Sequence, residues 1–328
     1  MNKLKKVLSI ILALCIVCSF ALSACSSDSV GTHGNANEAN GTPEAATDPV
    51  GTQGNENEVD ETPEVSTGFV DAHGNEVEVD ETLEATADVL LSGADNAARR
   101  GETNLGDLWT DALRWFAVSG TINEYFEEDD VTAGNTEITV DEDHIVALWN
   151  GGNLRADIAK GTFGAEQVTE VLPYPNSVAV VYMTGAQLLE ALEAASQGLP
   201  YTEESADACA SLMQVSGLKY TVDTSKEYSK GEAYGDHWFK AASMGRVRIE
   251  EVNGQPFDEA ATYAVITSNA NFNGMDSSYI FAQAAEENEN STITTAVVRD
   301  VIWMYLADEL NNIVGEDYAE AQGRITIG

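Results

Sequence analysis

The feature that most constrains this chain is a run of three imperfect twenty-residue repeats over residues 30–89. The copies read VGTHGNANEANGTPEAATDP, VGTQGNENEVDETPEVSTGF and VDAHGNEVEVDETLEATADV. They contain few large apolar residues, so they bury too little surface to offset their ordering entropy. They also lack the leucine ladder of solenoid repeats. We therefore predict a disordered acidic spacer over 25–94 and a folded domain over 95–328, with weak Ca²⁺ binding by the spacer as an alternative.

The first 24 residues have the pattern of an export signal. Three lysines precede an apolar run over residues 7–20, which is short for a membrane-spanning helix. The sequence Leu-Ser-Ala-Cys at 22–25 follows and resembles the lipobox of bacterial lipoproteins. We predict a lipoprotein signal peptide over 1–24 and lipidation of Cys25, so that the protein is exported and anchored to the cell membrane facing outside. The alternative is an ordinary signal peptide with an incidental Cys25.

Charge and cysteine content exclude several classes of protein. The chain has 55 acidic and 16 basic residues, a net charge of −39. Nucleic-acid binding needs basic surface to neutralise phosphates, so no nucleic-acid partner is expected. An anionic ligand must instead be held by a few placed arginines. Removal of the signal and lipidation of Cys25 would leave Cys209 alone, which excludes an intramolecular disulfide. Small apolar neighbours predict that Cys209 is a buried thiol rather than a nucleophile.

Residues beyond 95 alternate between helical and strand patterns, which predicts an α/β (α+β) fold built as a single mixed-sheet domain. A capping box at Thr184 and Gln187 marks one helix start. The Asn253-Gly254 pair predicts a hairpin turn. Two predicted helices begin at Thr103 and Thr184, and a third covers 294–310. The predicted strands cover 144–149, 177–183, 246–252, 262–269 and 324–328.

Several segments, in this order, resemble the C-terminal domain of the 5′-nucleotidases over about residues 96–326. They are ETNLGDLWTDAL (102–113), NGGNLRADI (150–158), VLPYPN (171–176), MTGAQLLEALE (183–193), MQVSGLKYTVD (213–223) and YAVITSNANFNGMDSSY (263–279). The resemblance implies a domain that binds the base and sugar of a nucleotide. In that family, a separate metallophosphoesterase domain with two metal ions performs hydrolysis. Two aromatic rings sandwich the base, and an aspartate bonds the ribose.

The resemblance carries over residue by residue and implies a set of ligand-binding positions. In chain order they are Arg99, Asn150, Arg155, Tyr174, Asn176, Phe272 and Asp276. Tyr174 takes the place of the first stacking ring. The sequence departs from the family pattern at the second stacking ring, because Ala270 stands where the family has phenylalanine. Phe272 could supply this ring only if the loop is rebuilt. An apparent insertion over 225–244 carries Tyr234, Trp238 and Phe239, any of which is a candidate for another ring.

Physical chemistry supports these positions without the family. A glycine-rich turn at 151–152 would bring backbone N–H groups close to an anion, and Arg155 adds a two-pronged donor. An aromatic ring held between Pro173 and Pro175 stacks on any nucleobase.

Each position also has a structural alternative. In these alternatives, Arg155 forms a salt bridge with a neighbour, of which Asp157 is one candidate, and Tyr174 belongs to the core. Asp276 would cap a loop, and Arg99 would be only the edge of the spacer. His237 lies in the insertion, where a surface position is favoured over a catalytic one.

No residue pattern for catalysis stands out. A two-metal phosphoesterase centre needs several His, Asp and Asn ligands, and the chain has four histidines, two of them in the repeats. We therefore predict no catalytic residue, no metal and no cofactor. The first hypothesis is an exported protein that binds a nucleotide or nucleoside-like small molecule in nucleotide catabolism or scavenging. The alternatives are a nucleotide hydrolase acting with a separate catalytic protein, and a surface interaction module whose pocket has decayed.

Overall fold

The computed structural model describes residues 70–75, 80–135, 137–235 and 237–328. The predicted signal peptide, the predicted lipidation site Cys25 and the first two repeats lie outside these residues. Within them, no helix has the length and apolar character needed to span a bilayer.

Eight α-helices lie in the described part of the chain. They are α1 (Ala97–Arg100), α2 (Asn104–Val118), α3 (Glu128–Ala133), α4 (Ala165–Val171), α5 (Gly185–Ala195), α6 (Asn269–Phe272), α7 (Tyr279–Glu287) and α8 (Val298–Asp308). The helix α2 begins where predicted, because the Thr103 side chain accepts a hydrogen bond from the Gly106 N–H. The capping box of α5 is also present, with Thr184 and Gln187 bonding each other's backbone N–H.

Thirteen strands are described. They are β1 (Glu84–Ala87), β2 (Ile145–Asn150), β3 (Gly161–Gly164), β4 (Ser177–Thr184), β5 (Met213–Ser216), β6 (Leu218–Val222), β7 (Lys230–Tyr234), β8 (Trp238–Ala241), β9 (Val247–Val252), β10 (Thr262–Ser268), β11 (Thr292–Val297), β12 (Ile313–Val314) and β13 (Ile325–Ile327). The central sheet has the order β11-β4-β10-β2-β5 and is mixed, since β10 runs parallel to β2 and antiparallel to β4. Smaller sheets have the orders β12-β1-β3, β13-β6-β9 and β7-β8.

The central sheet is covered on both faces, which explains why its strands read as nearly continuous apolar runs. Alternate residues of one strand point to opposite faces. In β2, Ala147 and Trp149 enter a core shared with α2 and α8, whereas Val146 and Leu148 enter a core shared with α5 and α7. All four side chains are fully buried. The mixed α/β domain predicted from the sequence is therefore confirmed.

Four loops meet at one edge of this sheet. Because β2 and β10 are parallel, both end at this edge, at Asn150 and Ser268. The antiparallel neighbours β4 and β5 begin there, at Ser177 and Met213. The loops after β2 and β10 and the loops before β4 and β5 therefore meet, although they are far apart in sequence.

The predicted start of the folded domain at residue 95 is wrong. Strand β1 lies inside the third repeat and pairs with β3 and β12. Ala85, Ala87 and Leu91 are buried, at 3%, 1% and 0% exposed. Upstream, His73 contacts the domain, with its Nε2 atom 2.9 Å from the Thr294 carbonyl oxygen. Composition missed these contacts because a four-residue strand of mostly small residues adds little to the apolar content of its segment.

Two predictions of local structure also need correction. Strands β9 and β10 do not form a hairpin, because β9 pairs with β6 and β10 belongs to the central sheet. The Asn253-Gly254 turn instead closes a single bridge between Val252 and Gln255. The predicted helix over 294–310 is shorter, because residues 292–297 form β11 and the helix starts at Val298. Alternating threonines in 292–297 are a strand pattern that the neighbouring helical period concealed.

Candidate functional site

The loops that meet at this edge of the central sheet enclose a cavity of about 200 Å³. Four of the seven sequence-predicted residues line it, and they come from four separate segments: α1, the end of β2, the following turn and the loop after α6. The lining residues are Arg99, Asn150, Gly152, Asn153, Arg155, Asp207, Ala210, His237, Trp238 and Asp276. The described structure therefore brings Arg99, Asn150, Arg155 and Asp276 together.

A carboxylate and two amides form the floor of the cavity. Asn150 ends β2 and is 3% exposed. Its Oδ1 atom accepts from Asn153 Nδ2 at 3.0 Å, and its own Nδ2 is 3.5 Å from Asp276 Oδ2. Asp276 sits at a left-handed φ of 57°, which turns the chain sharply before α7. Burial raises the pKa of Asp276, while the nearby Arg99 and Arg155 oppose that rise. The site therefore holds a partly desolvated acid between two cations.

The two arginines are held differently. Arg99 is 15% exposed, donates to the Ala206 carbonyl oxygen at 2.9 Å, and lies 3.8 Å from Asp207. Arg155 is exposed, and its Nε donates to the Gly152 carbonyl oxygen at 2.6 Å. Among the described residues, no carboxylate lies within ion-pair distance of Arg155. The predicted alternative of a pair with Asp157 is wrong, because Asp157 accepts instead from backbone N–H groups of residues 93 and 94.

The glycines of the turn allow close packing. A Cβ atom at Gly151 would lie 2.0 Å from the Ala98 carbonyl oxygen, and one at Gly152 would lie 2.7 Å from the Ala210 Cβ. The N–H groups of Gly151 and Arg155 donate to the backbone carbonyls of Leu212 and Val171. The turn is therefore pressed between α1 and the segment before β5, and its role is to fix where Arg155 emerges.

The remaining predicted residues lie outside the cavity lining. Tyr174 is 52% exposed, so it is not a core residue, and the Arg155 guanidinium carbon lies 5.6 Å from its ring centroid. Asn176 joins this loop to α8, because its carbonyl oxygen accepts from the Val298 N–H at 2.9 Å. Phe272 packs against the core shared with α5 and α7. The structure therefore places Tyr174 next to Arg155, which lines the cavity, and leaves Phe272 outside the cavity lining.

Two lining residues come from segment 225–244, which the sequence suggested as an insertion, and the sequence offered only a weak signal for them. Trp238 opens β8 and is half-buried, and its Nε1 atom is buried without a hydrogen-bond partner among the described residues. His237 is exposed and stands edge-on to Trp238, with ring centroids 5.7 Å apart. The only hint was an aromatic-rich stretch within the apparent insertion.

Two further observations concern metal binding and the thiol of Cys209 in the described residues. No cluster of three or more His, Cys, Asp or Glu side chains within residues 70–75, 80–135, 137–235 and 237–328 is arranged to hold a metal ion. Cys209 is fully buried, and burial raises the pKa of its thiol. A buried thiol of raised pKa is a poor nucleophile, which agrees with its predicted structural role.

Comparison with known proteins decides the family. A model of the 5′-nucleotidase C-terminal domain matches residues 83–285. The chain belongs to this family. The match begins at residue 83, which agrees with strand β1 and not with a domain start at residue 95. Residues 225–244 lie within the match.

Among curated relatives, a trifunctional nucleotide phosphoesterase protein from Bacillus subtilis is 30% identical over 200 residues, which cover 60% of this chain and 11% of that protein. A cell wall protein from Listeria monocytogenes is 28% identical over 191 residues, covering 56% of this chain and 19% of that protein. The crystal structure of a 5′-nucleotidase precursor from Thermus thermophilus superimposes with a TM-score of 0.52 and 28% identity. That match covers 74% of this chain and 39% of the other. The chain thus spans well under half the length of these family proteins.

Proposed function

We propose that the cavity binds a nucleotide or nucleoside-like small molecule, and that the protein takes part in nucleotide catabolism or scavenging outside the cell. The observation that supports this most is the convergence of Arg99, Asn150, Arg155 and Asp276 on one cavity. Their separation along the chain means that only the fold brings them together, and the edge where they meet lies at the ends of the parallel strands, a common location for ligand sites in mixed sheets.

The polar groups divide into two chemical roles. Asp276 and Asn150 offer an acceptor and a donor to neighbouring hydroxyls, as a ribose requires. Arg155 has guanidinium Nη groups without a hydrogen-bond partner among the described residues, so it can donate two parallel bonds to a phosphate or another anion. Tyr174, beside Arg155, offers an exposed ring.

The size of the cavity limits what it encloses. Sites that enclose drug-sized ligands measure roughly 300–1,000 Å³, and this cavity measures about 200 Å³. It therefore surrounds one ring of the ligand, and the rest extends along the exposed surface at Arg155 and Tyr174.

We assign hydrolysis, where it accompanies binding, to a separate catalytic protein. The match to a nucleotide phosphoesterase covers 11% of that protein, so most of its length has no counterpart in this match. We also propose that Cys25 is lipidated and anchors the exported protein to the membrane. The similarity to a cell wall protein agrees with export.

Isothermal titration of the purified chain with adenosine and with AMP tests binding. We expect both to bind, and AMP to bind more tightly because Arg155 contacts its phosphate. Phosphate release from AMP in the presence of Mn²⁺ or Zn²⁺ should be absent for the chain alone. Release by the chain alone would contradict the assignment of hydrolysis to another protein.

The second candidate is a surface interaction module with a decayed pocket. The observation that favours it is the small residue Ala270, which is 9% exposed, together with the packing of Phe272 into the core. Absence of heat and of any thermal shift at millimolar adenosine and AMP would support this candidate and contradict ligand binding.

A further inference from the structure

The hairpin β7–β8 forms a two-stranded sheet of its own, and Trp238 at the start of β8 lines the cavity. An isolated two-stranded hairpin is only marginally stable in water. Its position therefore depends on contacts with the domain.

The hairpin is tied to the loop that carries Asp276. The Tyr234 hydroxyl donates to the Gly274 carbonyl oxygen at 2.5 Å. Gly274 has a φ of 77°, and a Cβ atom there would lie 2.5 Å from the Tyr234 hydroxyl. Glycine at 274 therefore meets two requirements, a left-handed turn and room for Tyr234.

Strand β8 is tied to the turn after α5 and to the start of α7. The Phe239 N–H donates to Gln197 Oε1 at 3.0 Å, and the Ala241 N–H donates to the Tyr279 hydroxyl at 3.0 Å. Both bonds hold the strand that Trp238 begins. The indole is therefore positioned before any ligand arrives, which lowers the ordering entropy that binding would otherwise cost.

One edge of the indole is buried. The buried Nε1 shows that the N–H edge points into the protein, and Trp238 itself lines the cavity. Trp109 and Trp149 also have buried, unpartnered Nε1 atoms, but both are fully buried core residues. Trp238 differs from them because it borders open space. It gives an otherwise polar and charged cavity an apolar surface.

From this arrangement, and resting on the proposed function, we infer that Trp238 stacks on the planar heterocycle of the ligand and that the β7–β8 hairpin determines specificity for it. Asn150 and Asp276, which line the same cavity, would then contact the sugar. Aromatic faces stack on every nucleobase, so Trp238 should favour ligands that carry a base without choosing strongly among bases.

Titration with adenosine, AMP and ribose 5-phosphate tests the inference, because the last ligand has no base. Trp238→Ala should weaken adenosine and AMP about tenfold or more, as expected from base stacking of ~1–3 kcal/mol. It should leave ribose 5-phosphate unchanged. Trp238→Phe keeps a ring and should weaken adenosine by less than Trp238→Ala does.

Trp115→Phe is the matched control, since Trp115 is half-buried on α2 and does not line the cavity. Its ring centroid lies 5.7 Å from that of Tyr305, in the core shared by α2 and α8. This variant should bind all three ligands like the parent. Intrinsic fluorescence gives a second readout: the change caused by AMP should disappear in Trp238→Phe and persist in Trp115→Phe. Thermal unfolding of each variant reports whether the fold survives.

The possible outcomes distinguish a failure of the Trp238 role from a failure of the proposed function. If the parent binds adenosine and AMP and Trp238→Ala binds them equally well, the role of Trp238 is wrong and the proposed function stands. Equal weakening of all three ligands would also overturn stacking, because it would show a loss of hairpin position. If the parent binds neither adenosine nor AMP, the proposed function and this inference fail together.

Discussion

Two charged clusters at different places in the domain use the same residue types in different ways. The C-terminal cluster comprises Arg324, Asp107, Asp111 and Tyr318, and the cavity cluster comprises Arg99, Arg155, Asn150 and Asp276. Arg324 is 11% exposed and donates to Asp111 Oδ2 at 2.8 Å and to the Val215 carbonyl oxygen at 2.8 Å. Its donors are engaged in holding the end of the chain, which includes β13, against α2.

The cavity cluster is less satisfied by its own members. The Arg155 side chain is exposed and makes one hydrogen bond among the described residues, to a backbone oxygen of its own turn. The contact between Asn150 and Asp276 is long, at 3.5 Å. An arginine that stabilises a fold is surrounded by acceptors, whereas an arginine positioned for a ligand keeps donors available. The comparison therefore predicts opposite effects of equivalent substitutions in the two clusters.

The largest effect is expected from Arg324→Ala. It leaves the Asp111 carboxylate without its cation, and breaking a buried pair costs about 3–5 kcal/mol. Urea unfolding at pH 7 should show this loss. Arg248→Ala is the control, because Arg248 is 71% exposed and pairs with Glu250 on the surface, where such pairs contribute about 0–1 kcal/mol. Equal stability of the two variants would remove the distinction between the clusters.

The next effect is expected from Arg155→Ala, which should weaken AMP about tenfold, since hydrogen bonds to charged groups contribute about 1.5–3 kcal/mol. Adenosine, which lacks the phosphate, should bind as before. The free energy of unfolding should change by less than about 0.5 kcal/mol, as at other surface positions. Titration calorimetry checks the two affinities, and urea unfolding checks the free energy of unfolding. A large loss of stability without a loss of AMP affinity would assign Arg155 to the fold.

A pH dependence of stability is expected from the C-terminal cluster. Burial raises the pKa of Asp107 to about 8, against the opposing charge of Arg324 and with repulsion from Glu102. The folded state therefore holds a proton that the unfolded state releases near pH 4. The resulting stabilisation is complete below pH 4 and is lost as pH rises towards 8.

This dependence should amount to at least ~1.4 kcal/mol, the equivalent of one pKa unit. Unfolding curves measured from pH 5 to pH 8 report it. Asp107→Asn, which mimics the protonated group, should flatten the profile over that range. A profile of unchanged slope in this variant would show that another group titrates.

The smallest effect is expected from Tyr174→Ala, which removes the ring beside the Arg155 guanidinium. An exposed contact of this kind is worth about 0.5–1 kcal/mol, so AMP affinity should fall about two- to fivefold. Stability should not change measurably, since the ring is 52% exposed. A drop in the melting temperature of several degrees would instead place Tyr174 among the packing residues.

Much of the fold follows from local sequence. The caps at Thr103 and Thr184 mark two helix starts, and the apolar runs of β2 and β4 mark strands buried on both faces. Errors arise where the deciding interaction is distant. Strand β1 owes its structure to pairing with residues more than 70 positions away, and β9 and β10 separate into different sheets although an Asn-Gly turn follows β9.

For the site, the sequence by itself determined which side chains are available: the order of motifs identified the family, and with it Arg99, Asn150, Arg155 and Asp276 as candidates. Only the tertiary structure decided that these four share a cavity, that Gly151 and Gly152 are packing residues, and that Trp238 reaches the cavity while Phe272 does not. The physical reason is that strand direction and register set which loops meet, and both result from pairing across the whole sheet. A motif specifies what its residues can do chemically, and the long-range packing around it specifies what they face.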